Sequence, residues 1–325
     1  MMKALVTGGA GFIGSHLCDK LLAGGHKVSV VDCLSTGSMR NIAHLVEHEN
    51  FQFVNDDIIT GSALEELVKN CDVVFHLAAA VGVKHIVNDP LGSILTNVSG
   101  TEKVFHCAFK YWKKIVLAST SEVYGKSKKV PLKEDDDRIL GSTHINRWSY
   151  SASKAIDEHI AYAYYEKGLP MVILRFFNSY GPRINEDAYG TVVAQFIKQA
   201  LLSRPITVHA KGVQTRCFTY VENTVEGILR ASRIKKAEGQ VFNVGSARET
   251  TILELARLVK KLTKSRSEIA YIPYKDYYGQ SYEDTPRRVP SIEKAKKILK
   301  FEAATSLEEG LKKTIDWCKE NYTLS

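Results

Sequence analysis

The sequence predicts an α/β chain: a doubly wound parallel sheet followed by a smaller α/β region. Three observations point to it. Short apolar runs alternate with helical stretches through the first half of the 325 residues. The runs are apolar throughout, as strands buried on both faces are. A glycine-rich turn joins the first run to the first helical stretch.

Strands are expected over residues 3–7, 28–31, 51–54, 73–77, 115–118 and 171–175. Helices are expected between them, at 12–23, where Ile13, Leu17 and Leu21 recur at helical spacing, at 63–69 and at 97–111. Right-handed crossovers place those helices on both faces of the sheet. After Pro182 the pattern loosens, with helices near 191–202, 221–233, 252–262 and 307–321 among short strands and loops. Residues 271–290, rich in Tyr, Pro, Arg and Gly, read as a long surface loop of the kind that often carries function. The resulting division is a first domain over 1–178, rejoined by about 217–245, and a second region over 179–325.

A hydrophobic content of 44% suffices for a large core, and 25% charged residues is ordinary for a globular chain. The net charge of +8, from 44 basic and 36 acidic residues, favours anionic ligands such as nucleotides. The basic residues of 233–236 and 294–300 sit in helical-looking stretches and read as solvated faces, so no nucleic-acid partner is expected. None of the six cysteines forms a CxxC pair; they read as free thiols, several of them buried, suited to a reducing compartment. Met1-Met2-Lys3 leads directly into an apolar strand, without a signal-peptide pattern, and no apolar run is long enough to cross a bilayer. A cytoplasmic protein without a membrane partner is expected. His44-Leu45-Val46-Glu47-His48 matches a zinc-protease pattern but has no evident third ligand; it reads as an exposed helix, and no metal is expected.

The first turn, Thr7-Gly8-Gly9-Ala10-Gly11-Phe12-Ile13-Gly14, lies between a strand and an amphipathic helix. That is the context in which such a turn presents backbone N–H groups and a helix N-terminus to a pyrophosphate, as in a Rossmann sheet. Gly8, Gly11, Phe12, Ile13 and Gly14 are the expected cofactor positions. Asp32 ends the second strand, eighteen residues after Gly14, where its carboxylate accepts from a ribose diol and repels a 2′-phosphate. NAD is therefore the expected cofactor, with Asp57 and Ile58 bordering the adenine.

Tyr150 and Lys154 are four residues apart and share one face of a helix. A phenol near its ordinary pKa is a poor base at neutral pH, and a neighbouring ammonium together with the positive nicotinamide favours the phenolate. The fifth strand runs into Ser119-Thr120-Ser121-Glu122, at the carboxyl edge where ligands of such sheets bind.

These motifs together resemble the extended short-chain dehydrogenase/reductase family acting on nucleotide sugars. The carriers are TGGAGFIG at Thr7–Gly14, HLAA at His76–Ala79, STSEVYG at Ser119–Gly125, YSASK at Tyr150–Lys154, RFFNSYGPR at Arg175–Arg183 and QTRCFTYV at Gln214–Val221, which span nearly the whole chain. The resemblance implies that Tyr150 removes the sugar 4-hydroxyl proton, Thr120 hydrogen-bonds the 4-oxygen, and Lys154 holds the ribose and lowers the tyrosine pKa. It adds Ala78 and Asn97 to the cofactor set. It gives Ser121, Asn178, Arg183 and Arg216 to the substrate, the last with Asn178 at the diphosphate. A homodimer, paired through the helix that carries the tyrosine, is implied in the same way.

Members of the family first make a 4-keto sugar. Dehydratases carry an Asp–Glu pair where this chain has Ser121-Glu122, so dehydration is demoted. The Ser–Glu pair, the run from Glu283 to Ile292 and Arg147-Trp148-Ser149-Tyr150 resemble the UDP-glucuronate decarboxylases. By that resemblance Glu122 and Arg288 are the additional catalytic residues, Arg288 also binding substrate. Oxidation at C4 turns the C6 carboxylate into a β-keto acid, which a nearby cation binds and a proton donor near C5 helps to collapse. Two departures stand out: Ala210-Lys211-Gly212 replaces the family's Gly-Asp-Gly, and the segment from Ala80 to His85 differs from the decarboxylases, which admits an N-acetylated or otherwise altered uronate. The expected function is decarboxylation of UDP-glucuronate or such a relative to a UDP-pentose. A UDP-sugar 4-epimerase is the alternative, and a non-catalytic NAD-binding scaffold a further one.

Overall fold

A computed structural model describes residues 1–82, 89–184, 192–273, 283 and 285–322. Its strands, in chain order, are β1 Lys3–Thr7, β2 Lys27–Val31, β3 Phe51–Val54, β4 Val73–His76, β5 Lys114–Thr120, β6 Met171–Phe176, β7 Ser179–Tyr180, β8 Ile206–His209, β9 Thr215–Cys217, β10 Thr219–Tyr220, β11 Gln240–Val244, β12 Glu249–Thr251, β13 Ile269–Ile272 and β14 Arg287–Arg288. The helices are α1 Phe12–Ala23, α2 Leu64–Asn70, α3 Pro90–Lys110, α4 Ser149–Glu166, α5 Val192–Leu201, α6 Val221–Arg233, α7 Ile252–Thr263 and α8 Leu307–Asn321.

Seven strands form one parallel sheet in the order β11-β6-β5-β4-β1-β2-β3. Side chains one apart on a strand go to opposite faces, and both faces are buried. Ala4 and Val6 of β1 enter one apolar cluster and Leu5 the other; Val172 and Leu174 of β6 split from Met171 and Ile173 in the same way. Leu17 and Leu21 of α1 and Val225, Ile228 and Leu229 of α6 cover the first face. Leu64 and Val68 of α2 with Val104, Phe105 and Ala108 of α3 cover the second. That two-sided burial is why the strands read as unbroken apolar runs.

The order reverses at β1, which lies between β2 and β4. Ligands of open α/β sheets bind in the crevice at such a point. A third apolar cluster gathers residues after 179: Val193, Phe196 and Ile197 of α5, Leu255 and Val259 of α7, Leu311 and Ile315 of α8, with Tyr180 and Tyr220. The turn between β12 and α7 carries a capping box, in which Thr251 and Glu254 satisfy each other's backbone N–H groups.

Three expectations need correction. Helix α3 begins at Pro90 rather than 97, with Asp89 accepting from the Gly92 N–H at 2.9 Å. Residues 285–290 are not a surface loop: β14 pairs with β9, Thr285 and Arg288 are buried, and the Leu132 N–H donates to the Val289 carbonyl. His44 lies in a 3₁₀ turn over Ala43–Leu45, with its Nε2 2.7 Å from Asp19 Oδ1. The divergent positions Val83, Lys84 and His85 lie outside the described residues.

Candidate active site

The glycine turn occupies the switch point. Gly8 has φ +72°, and a Cβ there would sit 2.7 Å from the Ala78 backbone nitrogen beyond β4. A Cβ on Gly14 would collide with the Gly8 carbonyl oxygen. Gly11 caps α1 without any side-chain hydrogen bond to the helix N–H groups. The turn is therefore a cradle of backbone without side chains, ending at a helix N-terminus that favours negative charge. Phe12 and Ile13 pack against the apolar cluster that follows residue 179, so what they can present to a phosphate is backbone. Asp32 is buried and accepts from the N–H groups of Ala10 at 2.9 Å and Leu34 at 2.8 Å. Burial raises its pKa against those bonds. These groups fit a dinucleotide whose ribose meets an acidic residue. Asp57 Oδ1 caps its own turn by accepting from Ile59 and Thr60, and Ile58 is buried against Gly100. Asn97 fixes the floor: it accepts from Ala80 N–H at 2.8 Å and donates to Ser153 of α4 at 3.1 Å.

Strand β5 and helix α4 bring Thr120 and Tyr150 together. The Thr120 hydroxyl faces the phenol of Tyr150 and accepts from the Glu122 N–H at 3.2 Å. Burial, then the negative charges of Glu122 and Asp157, push the phenol above its ordinary range, against the Thr120 bond and the Arg147 charge. The lowering expected from Lys154 is thus not supplied by the protein's own charges. The Lys154 ammonium instead donates to Asp157 Oδ2 at 2.7 Å. Below this pair lies a buried chain: His76 bridges the hydroxyls of Thr7 at 2.7 Å and Thr101 at 3.0 Å. Burial, helped by the Lys154 charge, lowers His76 to about 3, so its imidazole is neutral at physiological pH.

Glu122 stands between two guanidiniums. Arg288 Nη1 donates to Oε1 at 2.6 Å, and Arg147 Nη2 donates to Oε2 at 2.5 Å. Burial opposes the charged form, but Arg147 and Arg288 outweigh it and hold Glu122 at about 2. Glu122 is an ionised acceptor here, not an acid. Ser121, buried beside it, follows Thr120, and the Ser151 hydroxyl donates to the Glu122 carbonyl at 2.6 Å.

Strands β9 and β14 place Arg216 and Arg288 in register as neighbours. Arg216 Nη1 donates to the carbonyls of Thr215 and Thr285, both at 2.8 Å. Two guanidiniums side by side repel unless an anion lies between or beyond them. Asn178 joins the group through a 3.3 Å bond from Nδ2 to the Cys217 carbonyl. Arg183 does not: its Nη1 lies 2.7 Å from Asp19 Oδ2 of α1, and Nη2 is 3.4 Å from His44 Nε2. Sequence reasoning passed over two groups that the structure brings into the site. Arg147 sat within a quoted motif, and Asp157 was detectable as the carboxylate on the Lys154 face of α4. Among the described residues, no group of three or more His, Cys, Asp or Glu side chains could hold a metal.

A family model described as GDP-mannose 4,6 dehydratase matches residues 5–314. The UDP-N-acetyl-alpha-D-glucosaminuronate decarboxylase of Bacillus cytotoxicus is 41% identical over 318 residues, covering 98% of each chain. UDP-glucuronic acid decarboxylase 1 of Danio rerio is 39% identical over 97% of this chain and 72% of its own. Among solved structures, UDP-glucuronic acid 4-epimerase from Bacillus cereus, in complex with UDP-glucuronic acid and NAD, superimposes with a TM-score of 0.89. Its identity is 31%, over 99% of this chain and 100% of that one.

Proposed function

This chain belongs to the GDP-mannose 4,6 dehydratase family, within the extended short-chain dehydrogenases/reductases, and from that premise we propose that it decarboxylates a UDP-linked uronate. It is an NAD-dependent nucleotide-sugar enzyme. The proposed substrate is UDP-glucuronate or its N-acetylated counterpart, and the product a UDP-pentose.

The observation that carries the reading is the Arg288–Glu122–Arg147 cluster beside Tyr150. One carboxylate between two guanidiniums leaves a net positive charge, to which a sugar carboxylate is complementary and a hydroxymethyl group is not. Thr120 and Tyr150 are assigned to the sugar 4-oxygen, Tyr150 taking its proton. NAD, held by the glycine turn and Asp32, would supply a reversible hydride acceptor for C4 and a positive ring that favours the phenolate the protein's own charges disfavour. Once C4 is a ketone, the C6 carboxylate is a β-keto acid; carbon dioxide leaves as its bonding electrons enter an enolate, which takes a proton at C5 from water before C4 is reduced again. Glu122, held ionised, is assigned to orienting Arg288 and not to protonating that enolate.

Gly8, Gly11, Gly14 and Asp32 are assigned to NAD, with Asn97 and Ala78 shaping the floor. Ser121, Asn178 and Arg216 are assigned to the UDP-sugar, which would lie between the first domain over 1–178 and the region over 179–325. A homodimer is also proposed. Leu91 and Leu95 of α3 and Ile156 of α4 are exposed apolar side chains on two helices packed together, and a second copy would cover them. The six free thiols suit a reducing cytoplasm.

The test is product analysis by NMR, with carbon dioxide measured, after incubation with UDP-glucuronate and with the N-acetylated uronate. A UDP-pentose and gas are expected, and Arg288→Ala should lower kcat/KM by about a hundredfold or more. A UDP-galacturonate product without gas would install 4-epimerisation, which needs Tyr150, Lys154 and Thr120 alone. The likeness to the Bacillus cereus epimerase favours that second reading. A scaffold would lose nothing measurable on Tyr150→Phe.

A further inference from the structure

Lys154 stands between two groups on one face of α4, with Tyr150 four residues before it and Asp157 three after. Helical side chains lean toward the N-terminus, so a lysine reaches a residue before it more readily than one after it. Here the ammonium nevertheless meets Asp157 at 2.7 Å, with both side chains almost wholly buried. The Asp157 carboxylate is itself held in place: the Thr101 hydroxyl of α3 faces it, and Thr101 is tied through His76 to Thr7 at the mouth of the glycine turn. Oδ1 has no well-formed hydrogen bond among the described residues.

Magnitudes decide what the contact does. If Lys154 swung away to serve the site, a buried carboxylate would be left without its counter-charge, a severe penalty. If it stays, an ammonium with three donors commits one to Asp157 and keeps two. We infer that Asp157 is a positioning residue, anchoring the Lys154 ammonium at the floor of the site so that its two remaining donors serve the ribose of NAD and Tyr150. The inference rests on the NAD-dependent reading of the Tyr150–Lys154 pair.

The anchor also carries charge, and Asp157 is one of the anions that push the Tyr150 phenol up. The other charged or titratable groups around the pair are His76 from β4, Glu122 after β5, Arg147 before α4, and Glu158 with its partner Arg175 from β6. Arg175 is saturated by Glu158, through bonds of 2.9 and 2.7 Å, and His76 is neutral. Position and charge can therefore be separated by two substitutions. Asp157→Asn removes the charge and weakens the anchor. Asp157→Glu keeps the charge and displaces the ammonium by about one methylene length.

The experiment is calorimetric titration of the purified, full-length variants with NAD, without a sugar. It is paired with ultraviolet titration of the phenol, assigned by difference from Tyr150→Phe. Both variants are expected to bind NAD about tenfold more weakly than the parent. The Tyr150 titration should move to lower pH in the Asn variant alone. NAD affinity within about twofold of the parent, or tighter, in a folded Asn variant overturns the inference. Should the Asn variant not fold, the Glu variant decides by the same criterion. Because no sugar is present, failure of the decarboxylation assay would count against the proposed reaction and not against this anchor.

Discussion

Glu122 is ionised because two guanidiniums face it, and its charge makes the fold sensitive to acid. Its carboxyl drops from an ordinary 4.5 to about 2 on folding. Between those values the unfolded chain binds a proton that the folded chain refuses, so the stabilisation is complete above pH 4.5 and is lost as pH falls toward 2. Its size is on the order of 3 kcal/mol. Glu122→Gln should therefore be less stable at pH 7 and lose less between pH 5 and 3 than the parent, in urea unfolding at each pH. The same logic with a base applies to His76, which takes a proton at 6.5 when unfolded and only near 3 when folded. Its neutral, buried form costs stability as pH falls from 6.5, by about 1.4 kcal/mol per unit. In His76→Gln the loss of Tm between pH 7 and 5 should be smaller than in the parent, whatever the variant's starting stability. At this scale Tyr150, Lys154, Thr120 and Asp32 were legible, because spacing along a helix or the end of a strand fixes them locally. The ion pair of Arg183 with Asp19 was not legible, because the two are 164 residues apart in sequence and nothing around the arginine announces it.

Helix α1 and the turn before it show how an element can be read from its glycines. Gly14 is in a helix, where alanine would ordinarily gain about 1 kcal/mol. Its Cβ would strike the Gly8 carbonyl oxygen, so Gly14→Ala should instead destabilise the protein by about 2 kcal/mol and weaken NAD binding at least about tenfold. Thermal unfolding and NAD titration check the two parts separately. Helix α3 shows the opposite case. Asp89 and Pro90 are a readable cap and first helical residue, yet the helix was expected only from 97. In its first two turns the apolar residues Leu91 and Leu95 face outward and the buried ones are Ser93 and Asn97, so the core-facing period is polar there. Strand β11 was not read as a strand at all. It follows α6 and returns 64 residues after the end of β6 to pair with it, and no local pattern sets that partner.

At the scale of the molecule, separate apolar clusters cover the two faces of the large sheet and gather the helices after residue 179. Tyr150 and Lys154 lie on α4, the glycine turn follows β1, and Arg216 and Arg288 come from the paired strands β9 and β14. Buried charge links the sheet to its helix: Arg175 of β6 holds Glu158 of α4, which accepts from Ser119 of β5 at 2.5 Å. Removing one partner would leave a buried charge uncompensated. Arg175→Met should cost about 3–5 kcal/mol in denaturant unfolding at neutral pH. For the proposed dimer, Leu95→Glu is expected to shift the sedimentation profile toward half the mass while leaving the far-ultraviolet dichroism unchanged. An unchanged mass would place the pairing surface elsewhere.

The sequence by itself determined the parallel sheet, the glycine cradle and the Tyr150–Lys154 face, because apolar runs, backbone conformation and helical spacing act over a few residues. Only the tertiary structure decided which charges meet. Glu122 and Arg288 are 166 residues apart, and they touch because β14 lies in register beside β9 while a 3₁₀ turn over Ser121–Tyr124 after β5 brings Glu122 up to it. Lys154 meets Asp157 because a buried carboxylate requires its counter-ion, a demand that exists only once both are out of water. Desolvation and long-range strand pairing have no short-range signature, so the electrostatics of the site had to wait for the fold.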